Sequence, residues 1–332
     1  MSRKLLIIIT ITAVLAAVII ILPLALNSVY WTSILVLIGI NILMVSSLRT
    51  IKLLGHISLG HVGFSLIGAY GSGLLATKLG LSVWLTMFLG GLMAAVLALV
   101  LSYPFLKVKG IYFALLTLLT AETLRLITWY WKGFTGGFWG LLKIPSPGPI
   151  VIGGLTIDFN NVNSYYYLTA IIVAISLFIL YRLENSHLGF KWRAIQDTDV
   201  LAQSVGINVK WHKMLNFTIA CFFAGIAGAL FAHFQHSLSP DANARFGVLM
   251  SIYLVVYMVV GGESKFSGPI IGTVVLSIIS ELARGLGEYR PMMIGAIAIV
   301  FILLMPEGLV GLPYRCKLWY RKLLRLTQRG SA

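Results

Sequence analysis

Residues 214–235 read MLNFTIACFFAGIAGALFAHFQ, twenty-two positions without a Lys, Arg, Asp or Glu. At about 1.5 Å of rise per residue, a helix of that length crosses the roughly 30 Å hydrocarbon core of a bilayer. Its small residues Ala220, Ala224, Gly228 and Ala232 recur every four positions. That spacing puts them on one helix face, where they let a neighbouring backbone come close in lipid. The stretch predicts a membrane helix packed tightly against others.

The remainder of the chain extends this pattern. Of 332 residues, 59% are hydrophobic and only 11% are charged, with a mean hydropathy of +0.94. A soluble domain carries about 25% charged residues, so there is too little charge here to cover a water-exposed surface, and lipid must solvate much of the exterior. Apolar runs of spanning length fall near 5–26, 31–48, 57–77, 81–103, 111–131, 164–183, 214–235, 247–262, 268–284 and 291–312. The expected fold is an all-α integral membrane protein, a polytopic bundle of about ten transmembrane helices over 1–312, followed by a basic tail, 313–332. The third and ninth runs give the weakest span signals, being short or glycine-rich, with broken or re-entrant segments lining a cavity as the alternative. The first follows Arg3-Lys4 and holds 22 apolar positions, longer than the roughly 7–15 of a signal peptide, and no A-x-A site follows it. It reads as a retained span.

Charge sets the expected orientation. The net charge of +15 fits loops that fix topology and meet anionic headgroups better than it fits nucleic acid. With both termini cytoplasmic, 18 of the 25 Lys and Arg residues fall inside and six outside, while Arg125 lies within a span. The longest outer loop, 132–163, is rich in Gly and Pro and reads as turns. The inner segment 184–213 differs. Glu184–Asp197 and Thr198–Val205 read as short helices, with Thr198 as an N-cap and Gly206 at C′. Ile195, Val200, Leu201, Val205 and Ile207 give them an apolar face, suited either to the membrane surface or to a partner.

Few residues carry candidate chemistry. Glu122 and Arg125, in TLLTAETLRLI, share a helix face at i, i+3 spacing, and Glu281 and Arg284 repeat it. Charges in a bilayer are costly and face a bundle interior or an aqueous cavity; these read as neutralised structural pairs or as path-lining groups. The third run holds Gly60, Gly63, Gly68, Gly71 and Gly73, either for close helix contact or to expose backbone along a path. His56 and His61 lack metal-site spacing, no Cys/His cluster suggests a metal, and Cys221 and Cys316 are expected to stay reduced. The chain has no G-x-x-x-x-G-K-[ST] loop, G-x-S-x-G, H-E-x-x-H or dinucleotide fingerprint, so an enzyme reading is poorly supported.

Several motifs together resemble a known family. SLGHVGFSLIGAY (58–70) is similar to the SLGH-x-x-F-x-x-x-GAY signature of branched-chain amino-acid ABC importer permeases of the LivM type, and KGIYFALLTLLTAETLR (109–125) to their G-x-YFA-x-x-TL-x-x-x-E-x-x-R segment. TGG (135–137), LGFKWRAIQDTDVLAQSVGINV (188–209), GGESKFSGPIIG (261–272) and PEGLVGL (306–312) resemble further family blocks in the same order. Phe190 and Gln196 stand where Arg is usual, Asp199 where Glu is, and Ser264 where Gly is.

The resemblance implies a permease domain over 1–312 in the bacterial cytoplasmic (inner) membrane, paired with a second homologous permease subunit. It implies two cytoplasmic ATPase subunits that hold the ATP and Mg, with no cofactor in this chain. It further implies an external or periplasmic solute-binding protein that delivers branched-chain amino acids. Segment 184–213 would dock on the ATPase through Arg193, Ala194, Ile195, Asp197, Asp199, Val200, Leu201 and Gly206. The translocation path would involve Ser58, Gly60, His61, Phe64, Tyr70, Glu122 and Arg125. Urea, short amides or another small polar solute are alternative cargoes for the same architecture. An ion-coupled secondary transporter, with Glu122 as a proton or sodium site, is an alternative of a different class.

Overall fold

The computed structural model describes residues 21–23, 28–108, 110–152, 155–241, 245–305 and 308–311. Helices dominate it: α1 (Val29–Lys52), α2 (His61–Lys78), α3 (Val83–Phe105), α4 (Ile111–Tyr130), the single turn α5 (Lys132–Thr135), α6 (Val162–Glu184), α7 (His187–Asp197), α8 (Asp199–Ser204), α9 (Val209–Gln235), α10 (Val248–Gly261), α11 (Ser267–Leu282) and α12 (Arg290–Leu304). Each expected run from the second to the tenth overlaps one of these helices. The first run, apart from 21–23, lies outside the described residues, as do tail residues 313–332 with Cys316.

Six described segments are long and apolar enough to cross a membrane: α1, α3, α4, α6, α9 and the 45-residue stretch Ser267–Gly311 that contains α11 and α12. α10 is a shorter apolar helix. Four glycines and several polar residues leave α2 less apolar than these six, yet it is continuous from His61 to Lys78.

Packing centres on α9, against which α1, α2 and α3 lie. Ala220, Ala224 and Ala232 are fully buried. A Cβ at Gly228 would fall inside the backbone carbonyl of Ser65 on α2, and one at Gly68 would overlap the Gly225 backbone. Gly90 of α3 closes on the Gly68 carbonyl from the other side. The glycines of the third run stand at close contacts: each of the five meets protein atoms of another element within 3 Å of where a Cβ would stand, a helix at Gly60, Gly63, Gly68 and Gly71 and the Leu141 side chain at Gly73. Three backbones approach at distances no side chain would permit.

The turn-rich segment after α4 folds back on the helix ends. A short β1 (Leu141–Leu142) pairs antiparallel with β4 (Ser237–Leu238), Leu141 opposite Leu238, and β2 (Ile150–Ile152) pairs with β3 (Leu155–Ile157). His233 pins this segment to the bundle, one ring nitrogen 2.7 Å from Ser72 Oγ and the other 2.7 Å from the Pro145 carbonyl oxygen.

Segment 184–213 departs from expectation in three ways. Glu184 ends α6 instead of opening the next helix; Ser186 caps α7, its Oγ accepting the Leu188 N–H at 3.2 Å. Thr198 occupies the N-cap position of α8 but makes no side-chain cap bond, because its hydroxyl donates to the Asp197 carbonyl at 2.6 Å. Ile195 does not share a face with Val200, Leu201 and Val205. It is 2% exposed, packed with Trp192, Leu53, Leu54, Ala202 and Val209 in a second small core.

Candidate functional site

At the end of the bundle that carries α7 and α8, α1 continues past its apolar run, so Arg49 and Lys52 stay in its last turn. The Arg49 side chain is 3% exposed and that of Glu184 8%. Both Arg49 Nη atoms bond the Glu184 carboxylate, Nη2 to Oε1 at 3.0 Å and Nη1 to Oε2. Nε donates to the Glu263 carbonyl at 3.0 Å, and Nη2 also reaches the Ser264 carbonyl at 3.4 Å. Arg193 of α7 adds its Nη2 to Glu184 Oε1 at 3.0 Å. One carboxylate thus ties together α1, α6, α7 and the turn between α10 and α11. Buried charges are tolerated only when paired in this way.

A separate ion pair holds α8. Lys213, nearly buried, holds Asp199 at 2.9 Å. α8 closes in a Schellman turn, with the Gly206 N–H on the Gln203 carbonyl (2.9 Å) and the Ile207 N–H on the Ala202 carbonyl (3.0 Å). Gly206 has φ +82°, a conformation that favours glycine. The turn leaves Val200 71%, Leu201 66% and Val205 74% exposed. Of the expected coupling residues, Arg193, Ala194, Asp197, Val200, Leu201 and Gly206 are at the surface, Asp199 is half-buried and Ile195 is inward.

The expected path residues divide differently. Ser58 Oγ accepts the Gly60 N–H at 3.3 Å, and the Leu59 N–H donates to Thr117 Oγ1 at 3.1 Å. Gly60 sits against the Thr117 carbonyl, so this segment clamps the start of α2 onto α4. His61 Nε2 lies 2.8 Å from Ser47 Oγ. Phe64 stacks edge-on with Phe217, which also meets Phe105 and Phe113. Arg125 donates to both oxygens of Glu122, with Nε at 2.9 Å from Oε2, and its Nη1 bonds the Pro240 carbonyl at 2.8 Å. Tyr70 alone of these lines one of the two cavities described here. That cavity is apolar, about 290 Å³, and lies between α2 and α4.

The larger cavity, about 680 Å³, opens at the other end of the bundle, among the first half of α1, the start of α10, α11 and the start of α12. Its walls include Asn41, Arg245, Tyr253, Tyr257, Glu281 and Arg290. Arg245 Nη2 donates to Asn41 Oδ1 at 2.6 Å, and Arg290 Nε to Ser280 Oγ at 2.8 Å.

The family described as "Branched-chain amino acid transport system / permease component" matches residues 24–305. The chain belongs to this permease family. The LivM high-affinity branched-chain amino acid transport system permease protein of Escherichia coli (strain K12) is 31% identical over 297 residues, which cover 84% of this chain and 68% of the relative. LivM of Salmonella typhimurium is 30% identical over the same shares. LivH of Escherichia coli (strain K12) is 29% identical over 143 residues, 42% of this chain and 44% of the relative. No solved structure matches. Permeases of this family transport and do not catalyse.

In this permease, sequence reasoning missed two things: the Arg49–Glu184 bond and the larger cavity. Arg49 reads as one more topology-setting charge in the sequence. The cavity did leave a local signal, with Tyr253 and Tyr257 at i, i+4 and Ser277, Ser280 and Glu281 at i, i+3 and i+4. Such spacing places each set on one helix face.

Proposed function

We propose that this permease is one membrane-spanning half of an ATP-driven importer for branched-chain amino acids. It crosses the bacterial inner membrane ten times with both ends in the cytoplasm. A second permease subunit, two ATPases and an external binding protein complete it. The eighteen-to-six distribution of Lys and Arg supports the orientation, and the printed names of its relatives support the cargo.

The observation that carries the coupling reading is the exposed face of Val200, Leu201 and Val205 on α8. Three adjacent aliphatic side chains beside a rigid, ion-paired anchor make a surface to be covered by a partner. We assign it to a groove on the ATPase. Closure of the ATPases pushes α8, whose Ala202 packs with Ile195 and Trp192 of α7; α7 then loads Glu184 through Arg193, and Glu184 passes the displacement to α1 and the α10–α11 turn through Arg49. ATP and Mg stay on the partner chains. An ion-coupled transporter using Glu122 fits less well, because Arg125 already occupies both carboxylate oxygens.

In the assembled transporter, Val200→Asp with Leu201→Asp should leave the chain in the membrane while abolishing leucine uptake and cargo-stimulated ATP hydrolysis. Uptake at the normal rate in that variant removes the coupling assignment.

A further inference from the structure

The larger cavity has no part in the coupling route, yet its walls combine three kinds of chemistry. The first is an unneutralised cation. Arg49 has Glu184, Arg125 has Glu122, and Arg284 and Arg290 share Glu281. Arg245 has no ion-pair partner among the described residues; its charge rests on the Asn41 amide oxygen at 2.6 Å and on the Phe231 ring, whose centroid lies 4.5 Å from the guanidinium carbon. A half-buried guanidinium without a counter-ion is costly, and a carboxylate bound in the fork of its N–H groups relieves that cost.

The second is a carboxylate. Glu288 lines the cavity, is exposed, and forms no ion pair among the described residues, whereas Glu281 is held by two arginines and the Tyr30 hydroxyl. The third is an aliphatic wall made by Ile34, Leu37, Ile38, Leu249 and Met250. Cation, anion and apolar surface within one cavity of about 680 Å³ make the complement of a zwitterion with a hydrocarbon side chain. The volume falls in the range typical of small-molecule sites.

The geometry points to this cavity as a binding station for an α-amino acid, with the carboxylate on Arg245, the ammonium toward Glu288 and the side chain on the α1 and α10 aliphatics. The assignment rests on the proposed function for its cargo class and adds the place where this chain holds that cargo. In the proposed orientation the station opens outward, where a solute released by an external receptor would enter.

The test is equilibrium binding of radiolabelled L-leucine to the full chain in phosphatidylcholine nanodiscs. Arg245→Gln should weaken binding about tenfold or more, and Arg245→Lys should recover part of it. Leu249→Trp, at a position already 45% exposed, should block the cavity without disturbing the fold. 4-Methylpentanoate, which keeps the carboxylate, should compete; 3-methylbutylamine, which lacks it, should not. Leucine binding unchanged in both Arg245→Gln and Leu249→Trp overturns the assignment. So does full displacement of leucine by phosphatidylglycerol, which would mark a lipid-headgroup site. A chain that supports leucine uptake in cells but binds none in nanodiscs also overturns the station and leaves the functional reading standing. Absence of leucine uptake in cells with all partners present instead overturns the functional reading itself.

Discussion

At the residue scale, Glu184 is the most consequential side chain outside the cavity, because burial and pairing differ so sharply between its two partners. Arg49 is almost sealed from solvent, whereas the Arg193 side chain is 44% exposed. An exposed ion pair contributes about 0–1 kcal/mol, but stripping the partner from a buried charge costs about 3–5 kcal/mol. Glu184→Ala should therefore lower the thermal unfolding midpoint strongly, and Arg193→Ala hardly at all, as read by intrinsic fluorescence in detergent. Equal effects would mean that Arg49 finds another counter-ion. The bond was illegible in sequence for a plain reason: its partners stand 135 positions apart. Glu122 and Arg125 were legible because a helix brings residues three apart together by itself.

At the element scale, α2, α3 and α9 depend on missing side chains more than on present ones. Without a hydrophobic force between helices in lipid, close backbone contact supplies much of the association. Gly68→Ala adds one methyl where the Gly225 backbone already stands, and overpacking of this kind costs about 1–3 kcal/mol. Gly295→Ala on α12 meets nothing within 4 Å, and there the better helix propensity of Ala predicts a neutral or stabilising change. Folded yield after detergent extraction, compared between the two variants, checks the contrast; equal yields would contradict the three-way contact. The stripe from Ala220 to Ala232 announced a packing face in the sequence, but its partner, α2, is fixed only by the fold.

At the scale of the whole molecule, the two ends of the bundle carry different work. One end holds the Glu184 network and the exposed α8; the other holds the larger cavity and the β1–β4 pairing. The proposed topology puts the first in the cytoplasm and the second outside. In a background with both cysteines replaced by serine, Gly148→Cys should react with a membrane-impermeant thiol reagent in intact cells. Ser204→Cys should react only after permeabilisation. Both positions are exposed, so labelling reports sidedness and not burial. The reverse result would turn the molecule over and separate α8 from any cytoplasmic ATPase.

What the sequence determined alone is the all-helical membrane class, the approximate placement of the apolar helices and the lack of a phosphate-binding loop in the sequence. Bilayer thickness imposes a length on each helix, and length and hydropathy are properties of consecutive residues. The glycine and alanine spacings were equally local, and so predicted packing faces. Only the tertiary structure decided what those faces meet, that Ile195 turns inward while Val200, Leu201 and Val205 turn out, and that Arg245 sits beside Asn41, 204 positions away, with no carboxylate partner among the described residues. Pairing across such distances is set by how helices pack in three dimensions, and neither hydropathy nor spacing encodes which buried charge will find a partner and which will be left for a ligand.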